Sequence, residues 1–194
     1  MKYAKKLLVL MLLSAMSFPA VQAQQEIEWI SFEEAMKRNQ ANPKKILIDI
    51  YTDWCGWCKR MDATTFADPV IAKLAKQHYH AVKFNAEQQE PIVINAKEYK
   101  FVPNGRRGYH ELAAELLGGR MSYPTTVFLD ENFNMIQAIP GYRAAPEFDQ
   151  IARYFGSDAF KSTEWETYIA TVYKSPFPPP PPPAESPQQP AQNQ

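Results

Sequence analysis

The sequence predicts an α/β domain with a central mixed β-sheet flanked by helices. The first observation is the run 46–51, whose nearly continuous apolar character is typical of a strand buried in the middle of a sheet. The second is the alternation of such strands with helices that begin at capping residues. The third is a pair of β-rich runs on either side of Asp130-Glu131-Asn132, which indicates a hairpin.

Each element follows from a local signal. Ser31 and Glu34 fit a capping box that opens the first helix. Asp68-Pro69 is typical of a helix start, because proline is favoured in the first turn. The predicted helices span about 32–40, 56–66, 68–77, 146–155 and 164–173, with less regular helices near 90–100 and 108–118. The predicted strands span 46–51, 79–85, 125–129 and 135–139.

The composition excludes several classes of protein. The 194 residues include 2 cysteines, too few for a disulfide-rich scaffold or a four-thiolate metal site. Lysine plus arginine and aspartate plus glutamate each number 21, but residues 1–23 hold three lysines and no acidic residue. The rest of the chain is therefore mildly acidic, which argues against nucleic acid as a partner.

Residues 1–23 have the features of a signal peptide. A basic start precedes an apolar run over 7–16, and Val21-Gln22-Ala23 places small residues where a signal peptidase reads. A membrane anchor is the alternative, but it needs roughly 20 apolar residues, and the run over 7–16 is too short for that. We therefore expect cleavage after Ala23 and a location in a bacterial periplasm, which is an oxidising compartment.

The composition changes again at residue 176. Nine of the 17 prolines lie between 176 and 190, and six are consecutive at 178–183. We expect residues 176–194 to form an extended polyproline II rod with a disordered end. Such a tail is either a ligand for an aromatic-lined groove, a spacer through the cell-wall layer, or a passive tail. The folded domain is then expected over 24–175.

The two cysteines lie together, at Cys55 and Cys58, between the buried strand and the helix that follows it. A disulfide across so short a loop removes little chain entropy, so a structural role is disfavoured. The positive end of the helix dipole stabilises a thiolate at Cys55, which we predict to be the attacking nucleophile. Cys58, one turn further in, is predicted to resolve the mixed disulfide.

Half of a metal site is the alternative for a Cys-x-x-Cys pair. A tetrahedral zinc site needs two more ligands, and the candidates are His78, His80 and His110. His78 and His80 point the same way if their segment is extended. The position between a strand and a helix favours redox chemistry, so we predict no metal.

Residues 46–59, ILIDIYTDWCGWCK, resemble the active-site strand and helix of the thioredoxin superfamily. Residues 82–85 resemble the next strand of that family. Residues 123–130 resemble its cis-proline loop and hairpin, and Gly141 matches the glycine after the hairpin. This resemblance covers most of residues 44–155. It implies a thioredoxin fold and a thiol–disulfide oxidoreductase that needs no cofactor beyond its redox-active disulfide.

The resemblance also implies an acid–base pair beneath the cysteines. Asp49 matches the buried acid that accepts the Cys58 proton, and burial in an apolar strand suits it to act as a base near neutrality. Lys83 matches the lysine that faces this acid and tunes it. The alternatives are an acid held by structural pairing and an exposed strand lysine.

The remaining expected site residues meet the substrate. Pro124 is implied to be cis and packed against the disulfide, which leaves the backbone of Tyr123 to pair with an extended substrate segment. Trp54, with Gly56 and Trp57, is expected to shape the surface around the disulfide. A plain core aromatic is the alternative for Trp54.

The chain departs from the family pattern before Pro124. Thioredoxins connect the strand of Lys83 to the cis-proline loop more directly than this chain does. Residues 88–120 are therefore interpreted as an insertion of about 20 residues, which is expected to be helical and to overhang the site. There it would narrow substrate choice or dock an electron donor. Its arginines, Arg106, Arg107 and Arg120, could serve there, but we favour a solvated loop for them.

Between the cysteines, Gly56-Trp57 stands where cytosolic thioredoxins have Gly-Pro. The histidine that stabilises the reduced thiolate in strongly oxidising relatives is also missing there. We therefore expect a monomeric reductase for disulfides of exported proteins, recharged by a membrane thiol reductase. A disulfide oxidase or isomerase is one alternative. A binding module that docks a partner through the thioredoxin groove and the proline tail is another, and a metal carrier is a third.

Overall fold

The computed structural model describes residues 26–94 and 96–179. The predicted signal peptide and residues 180–194 of the predicted tail lie outside the described residues. Within the described ranges, no helix is long and apolar enough to cross a membrane. The strands are β1 (Trp29–Ile30), β2 (Lys45–Tyr51), β3 (Tyr79–Asn85), β4 (Ile92–Ile94), β5 (Lys97–Tyr99), β6 (Phe101–Asn104), β7 (Arg107–His110), β8 (Thr125–Leu129) and β9 (Met135–Pro140).

The helices match most of the predicted ones. Glu34 N–H donates to Ser31 Oγ at 3.2 Å, and Val70 N–H donates to Asp68 Oδ1 at 2.8 Å, so both predicted caps are confirmed. The helices are α1 (Phe32–Ala41), α2 (Gly56–Met61), α3 (Pro69–His78), α4 (Glu111–Leu116), α5 (Ala145–Gly156) and α6 (Trp165–Thr167). There are also π-helical turns at Asp62–Phe66 and Tyr168–Val172 and a 3-10 turn at Ala159–Lys161. The π-helical turns directly follow α2 and α6, so the predicted helices over 56–66 and 164–173 are regular only in their first part.

Five strands form the main sheet, in the order β1-β3-β2-β8-β9. β2 runs parallel to β3 and antiparallel to β8, which confirms the mixed sheet and the central place of β2. β1 pairs with β3 through two residues only. The sequence did not predict β1, because two residues are too few to show a periodic pattern.

The core lies on both faces of this sheet. Successive strand side chains point to opposite faces, and β2 places Ile46 and Ile48 in one cluster and Leu47 in the other. The first cluster is covered by α1 and by the segment between β3 and β8. The second is covered by α2, α3 and α5. Asp49 shares the face of Leu47, so its side chain lies beneath the helix that carries the cysteines.

Residues 88–120 form two β-hairpins followed by a short helix, so the helix expected near 90–100 is wrong. β4 pairs with β5, and β6 pairs with β7. The chain reverses with positive φ at Ala96 (65°) in the first hairpin and at Gly105 (61°) in the second. Asn-Gly flanked by β-branched and aromatic residues is a strong hairpin signal, and here it outweighs the helical interpretation. The helix expected over 108–118 begins only at Glu111, because residues 107–110 are paired as β7.

Arg106, Arg107 and Arg120 of the inserted segment are exposed, but its apolar residues pack into the core. Ile92, Tyr99 and Leu112 are buried in the first core cluster, beside Phe32 of α1. His110 N–H donates to the carbonyl of Ala86 at 2.7 Å, which ties β7 to the end of β3. The insertion is thus a packed part of the domain, with one end close to the residues that follow β3.

The C-terminal segment returns to the domain. The hydroxyl of Tyr173 donates to the buried carboxylate of Asp149 at 2.9 Å, and Arg153 donates to the same oxygen at 2.8 Å. Phe177 packs, partly buried, against the second core cluster. The first residues of the predicted tail therefore contact the folded domain.

Candidate functional site

Cys55 and Cys58 are joined by a disulfide at the start of α2. Cys55 is the N-cap residue of this helix, and its Sγ accepts the Cys58 N–H at 3.0 Å. Cys55 is 5% exposed and Cys58 is 2% exposed, so an attacking sulfur reaches the pair through a narrow opening. Gly56 lies between them with open space around its Cα, since an added Cβ would meet nothing within 4 Å.

Trp54 forms one edge of this opening and is 51% exposed. Its ring lies edge-on to Tyr123 at 5.9 Å, and its Nε1–H donates to Glu87 Oε1 at 3.0 Å. The guanidinium carbon of Arg107 lies 4.3 Å from the centre of the same ring. The second inserted hairpin thus reaches the site, and Trp54 is a surface residue rather than a core aromatic.

Trp57 forms a second aromatic cluster and is 57% exposed. Its ring lies 5.5 Å from that of Tyr142, which follows β9. The guanidinium carbon of Arg60 lies 5.4 Å from the ring centre of Trp57 and 5.7 Å from that of Tyr142. Each exposed tryptophan beside the disulfide therefore has a tyrosine and an arginine against it.

Asp49 is almost completely buried, at 1% exposure, and lies directly opposite Lys83 in the pairing of β2 with β3. Lys83 Nζ donates to Asp49 Oδ2 at 2.6 Å and also to Asp62 Oδ1, which lies at the end of α2. Asp49 Oδ1 has no hydrogen-bond partner within the described part of the chain. One lysine thus serves two carboxylates, of which Asp49 is buried and Asp62 is partly exposed.

Burial controls the charge of Asp49 more strongly than its partner does. Removal from water raises the pKa of Asp49 to about 6, although the nearby Lys83 ammonium acts to lower it. Burial alone would lower the pKa of Lys83, but the two carboxylates outweigh it and the pKa is raised. Near neutral pH, Asp49 is therefore able to take up a proton, whereas Lys83 keeps its own.

The loop before β8 has the Tyr123–Pro124 bond in the cis form, as the resemblance implied. The carbonyl of Pro124 accepts the Gly141 N–H at 2.7 Å. Among the described residues, the backbone N–H and carbonyl of Tyr123 have no hydrogen-bond partner. Burial and the charge of Glu87 raise the pKa of Tyr123 to about 12, so its ring stays neutral.

The histidines are not gathered around the cysteines. His80 Nε2 bonds to the Asn42 carbonyl at 2.9 Å. His110 accepts the Leu112 N–H at Nδ1 and bonds to the Glu90 carbonyl at Nε2, both at 3.2 Å. Over the ranges that the structure describes, no three His, Cys, Asp or Glu side chains are placed to hold a metal ion.

The sequence of the chain matches a known protein family. Residues 32–156, more than half of the chain, match the family described as a thioredoxin-like domain. The chain therefore belongs to the thioredoxin-like family, and its fold is of the thiol–disulfide oxidoreductase type with a Cys55–Cys58 disulfide. No curated protein matches it.

Solved structures show the same fold. A thioredoxin from Thermus thermophilus is 20% identical with a TM-score of 0.50, over 67% of this chain and 87% of that one. A DsbH oxidoreductase is 17% identical with a TM-score of 0.51, over 77% and 94%. A candidate disulphide-isomerase from Bacteroides thetaiotaomicron is 23% identical with a TM-score of 0.50, over 72% and 98%. At these identities the likeness concerns the fold alone.

The structure brings the predicted site residues together in two groups, whose individual roles stay predictions. The first surrounds the disulfide and the second is the pair of Asp49 and Lys83. Sequence reasoning missed Asp62, although it follows Cys58 by four residues and therefore lies on the same face of a helix. It also missed Glu87, Arg60 and Tyr142, whose places depend on contacts between distant segments.

Proposed function

We propose that the protein is an exported thiol–disulfide oxidoreductase that reduces disulfides of other exported proteins in the periplasm. The observation that carries the disulfide exchange, in either direction, is the position of Cys55. Its sulfur caps α2 and accepts a backbone N–H, an arrangement that stabilises the thiolate formed when the disulfide is reduced. The thiolate, rather than the thiol, is the nucleophile in disulfide exchange.

The reaction has two exchange steps. The Cys55 thiolate attacks one sulfur of a substrate disulfide, forms a mixed disulfide and releases the other substrate sulfur as a thiolate. Cys58 then loses its proton to Asp49 and attacks Cys55 Sγ, which releases the second substrate thiolate. Two electrons pass to the substrate, the Cys58 proton remains on Asp49, the two substrate thiolates take up protons from water, and the Cys55–Cys58 disulfide remains.

The substrate is proposed to lie along the cis-proline loop. The unpaired backbone groups of Tyr123 would pair with an extended substrate segment, as an added strand does. Trp54 and Trp57 would cover the apolar part of that segment, since both rings are exposed beside the disulfide.

Two features support the reducing direction. Trp57 supplies no positive charge between the cysteines, whereas a cation there would stabilise the reduced form and make the protein an oxidant. Asp49, with a pKa raised to about 6 by burial, is suited to take the Cys58 proton near neutrality. A membrane thiol reductase would supply the electrons, and the protein would act as a monomer after cleavage behind Ala23.

The reduction potential of residues 24–194 tests the direction. The protein is equilibrated in glutathione buffers of graded ratio, and its free thiols are trapped with a mass tag. We expect a potential of about −250 mV or lower, the range of reductants. A potential of about −150 mV or higher would overturn the reducing direction in favour of disulfide formation or shuffling. Mass spectrometry of protein exported from a bacterial host should find Gln24 as the first residue.

A further inference from the structure

We propose that the surface around the disulfide selects substrates in which acidic side chains flank the cysteine that is attacked. This rests on the proposed disulfide exchange and adds the chemistry of the partner. The basis is the pair of arginines held against the two exposed tryptophans, Arg107 on Trp54 and Arg60 on Trp57.

These two arginines come from different parts of the chain. Arg107 lies on β7 of the insertion, and Arg60 lies on α2. Each tryptophan directly precedes a cysteine of the disulfide, so each guanidinium is anchored next to the reacting sulfurs. A guanidinium stacked on an aromatic face is partly desolvated and restricted in direction, while its N–H groups remain at the ring edge.

Neither guanidinium is neutralised by the protein. The arginine ion pairs of the described residues use Arg38, Arg143 and Arg153, and no carboxylate oxygen of the described residues lies within 4.0 Å of Arg60 or Arg107. Neither guanidinium therefore donates to a carboxylate of the described residues. A planar fork of N–H donors matches a carboxylate through two parallel hydrogen bonds, which are stronger than bonds between neutral groups.

The charges around these arginines favour an acidic partner. Lys59 and Arg106 are exposed neighbours in the chain and add positive charge. The nearby carboxylates, Asp53 and Glu87, accept hydrogen bonds from the Asn85 side chain and the Trp54 indole. Four exposed cations thus lie at, or next in the chain to, the two arginine–tryptophan contacts, against these two carboxylates.

This balance is opposite to that of the chain after residue 23, where 18 basic residues stand against 21 acidic ones. A local patch of sign opposite to the rest of the surface attracts and orients a charged partner. An acidic segment is therefore drawn to the end of the molecule that carries the disulfide.

The patch also fits the geometry of an extended segment. Trp54 contacts Tyr123, whose backbone groups are unpaired, so a segment paired there passes Arg107. Trp57 contacts Tyr142 after β9, so Arg60 meets a different part of the same segment. One acidic side chain on each side of the attacked cysteine would bind both arginines.

Three peptides of one sequence test this selection. Each is closed by an internal disulfide and carries aspartate, asparagine or lysine on both sides of one cysteine. Pre-reduced full mature chain is mixed with each peptide, and the loss of protein thiols is followed by acid quenching and thiol trapping. Rates are divided by those of uncharged dithiothreitol with the same peptide, which removes differences in the intrinsic reactivity of the disulfides.

We expect the aspartate peptide to react about tenfold faster than the lysine peptide at low ionic strength, and the ratio to fall as salt is added. Arg107→Gln and Arg60→Gln should each lower this ratio severalfold. Arg106→Gln is the matched control, because it removes the same charge from the same hairpin without touching a tryptophan ring. This variant should keep most of the wild-type ratio of the aspartate-peptide rate to the lysine-peptide rate.

Two outcomes would overturn the inference: a ratio near one in the wild-type protein, or an equal loss in the Arg106→Gln and Arg107→Gln variants. Reaction with an uncharged dipyridyl disulfide separates this failure from that of the proposed function. If the reagent oxidises the protein rapidly while the peptide ratio stays near one, disulfide exchange stands and the acidic preference falls. If the reduced protein reacts with none of the disulfides, the proposed function itself fails.

Discussion

Lys83 holds its ammonium nitrogen 2.6 Å from Oδ2 of Asp49, its direct partner in the pairing of β2 with β3. The rings of Trp29, Tyr51 and Phe66 surround the same ammonium, with centres 5.0, 4.9 and 5.5 Å away. Among the described residues, the Lys83 ammonium is the only cation that contacts the buried Asp49 carboxylate, and these three rings hold it in place. The ionisation of Asp49 therefore depends on Lys83 and on whatever else Lys83 binds.

The first prediction concerns the stability of the oxidised protein against pH. Burial raises the pKa of Asp49 from 3.8 to about 6, so the unfolded chain releases this proton at lower pH than the folded protein does. As pH rises from about 4 to about 6, ionisation of Asp49 should lower the free energy of unfolding by about 2 kcal/mol. The Asp49→Asn variant should not show this fall in the free energy of unfolding. Any other effect of the substitution on stability should be the same at every pH.

Urea unfolding across that pH range measures the effect. The stability of Asp49→Asn minus that of the wild type should increase between pH 4 and pH 6 and then level off. The exposed Asp53 supplies the control, since Asp53→Asn should run parallel to the wild type. Parallel curves for Asp49→Asn as well would contradict the raised pKa.

The second prediction separates the two partners of Lys83. Lys83→Met removes the cation from Asp49 and should raise the pKa of Asp49 further, by about 1–3 units. Asp62→Asn should lower it, because a repelling carboxylate is removed and Lys83 serves Asp49 alone. The pH dependence of Cys58 attack on a preformed mixed disulfide should therefore move up in the first variant and down in the second.

Single-turnover release of substrate thiol from the mixed disulfide measures both shifts. A merely structural role for Asp62 would slow the step equally at every pH. Asp53→Asn, which does not touch Lys83, should leave the profile in place. Movement of both profiles in one direction would show that the shared lysine does not control Asp49.

The third prediction concerns the order of the cysteines. Cys58→Ser leaves Cys55 at the helix cap, so this variant should accumulate a mixed disulfide with its substrate. Cys55→Ser should form no such adduct, because Cys58 is buried beneath it. Non-reducing mass spectrometry after incubation with an oxidised substrate protein distinguishes the two. Equal adducts in both variants would remove the assignment of Cys55 as the nucleophile.

The fourth prediction tests the inserted hairpin. A Cβ added at Gly108 would lie 2.1 Å from Phe101 Cζ and 2.6 Å from the Val102 carbonyl oxygen, a backbone atom that cannot easily move. Gly108→Ala should therefore disrupt the pairing of β6 with β7 and destabilise the protein by about 1–3 kcal/mol. Because β7 carries Arg107, the preference for acidic peptides should fall as well.

Thermal unfolding checks the loss of stability. Gly56→Ala is the comparison for stability alone, since its added Cβ meets nothing within 4 Å. It should unfold within about 0.5 kcal/mol of the wild type, as substitutions without steric consequence do. A stable Gly108→Ala variant with an unchanged peptide preference would contradict the role given to the hairpin.

Much of the fold was predictable because strong local signals agree with the tertiary structure. β2 and β3 were predicted from their buried apolar runs, and α1 from its capping box. β1 was not, since two residues carry no period and their pairing with β3 is decided by the sheet. The helix expected near 90–100 was wrong, because the hairpin turns and the burial of Tyr99 outweigh helical preference.

The candidate site divides in the same way. Cys55 and Cys58 were singled out from their spacing between a strand and a helix. Asp49, Lys83 and Pro124 were implied by the resemblance of their motifs to the thioredoxin superfamily. Asp62 was not, since its link to Asp49 passes through a lysine on another strand. Arg107 was expected to lie in a solvated loop, because its position against Trp54 joins residues more than 50 positions apart and depends on how the insertion packs.

Asp49 and Lys83 were implied only by the resemblance to the thioredoxin superfamily. The sequence by itself determined the class of fold, the central strand and the pair of cysteines at a helix start. Each of these depends on residue type and short spacing, which the chain carries locally. Only the tertiary structure decided that one lysine serves two carboxylates and that each exposed tryptophan carries an arginine. Those contacts join distant segments, and their energies arise from burial and charge that exist only once the chain is packed.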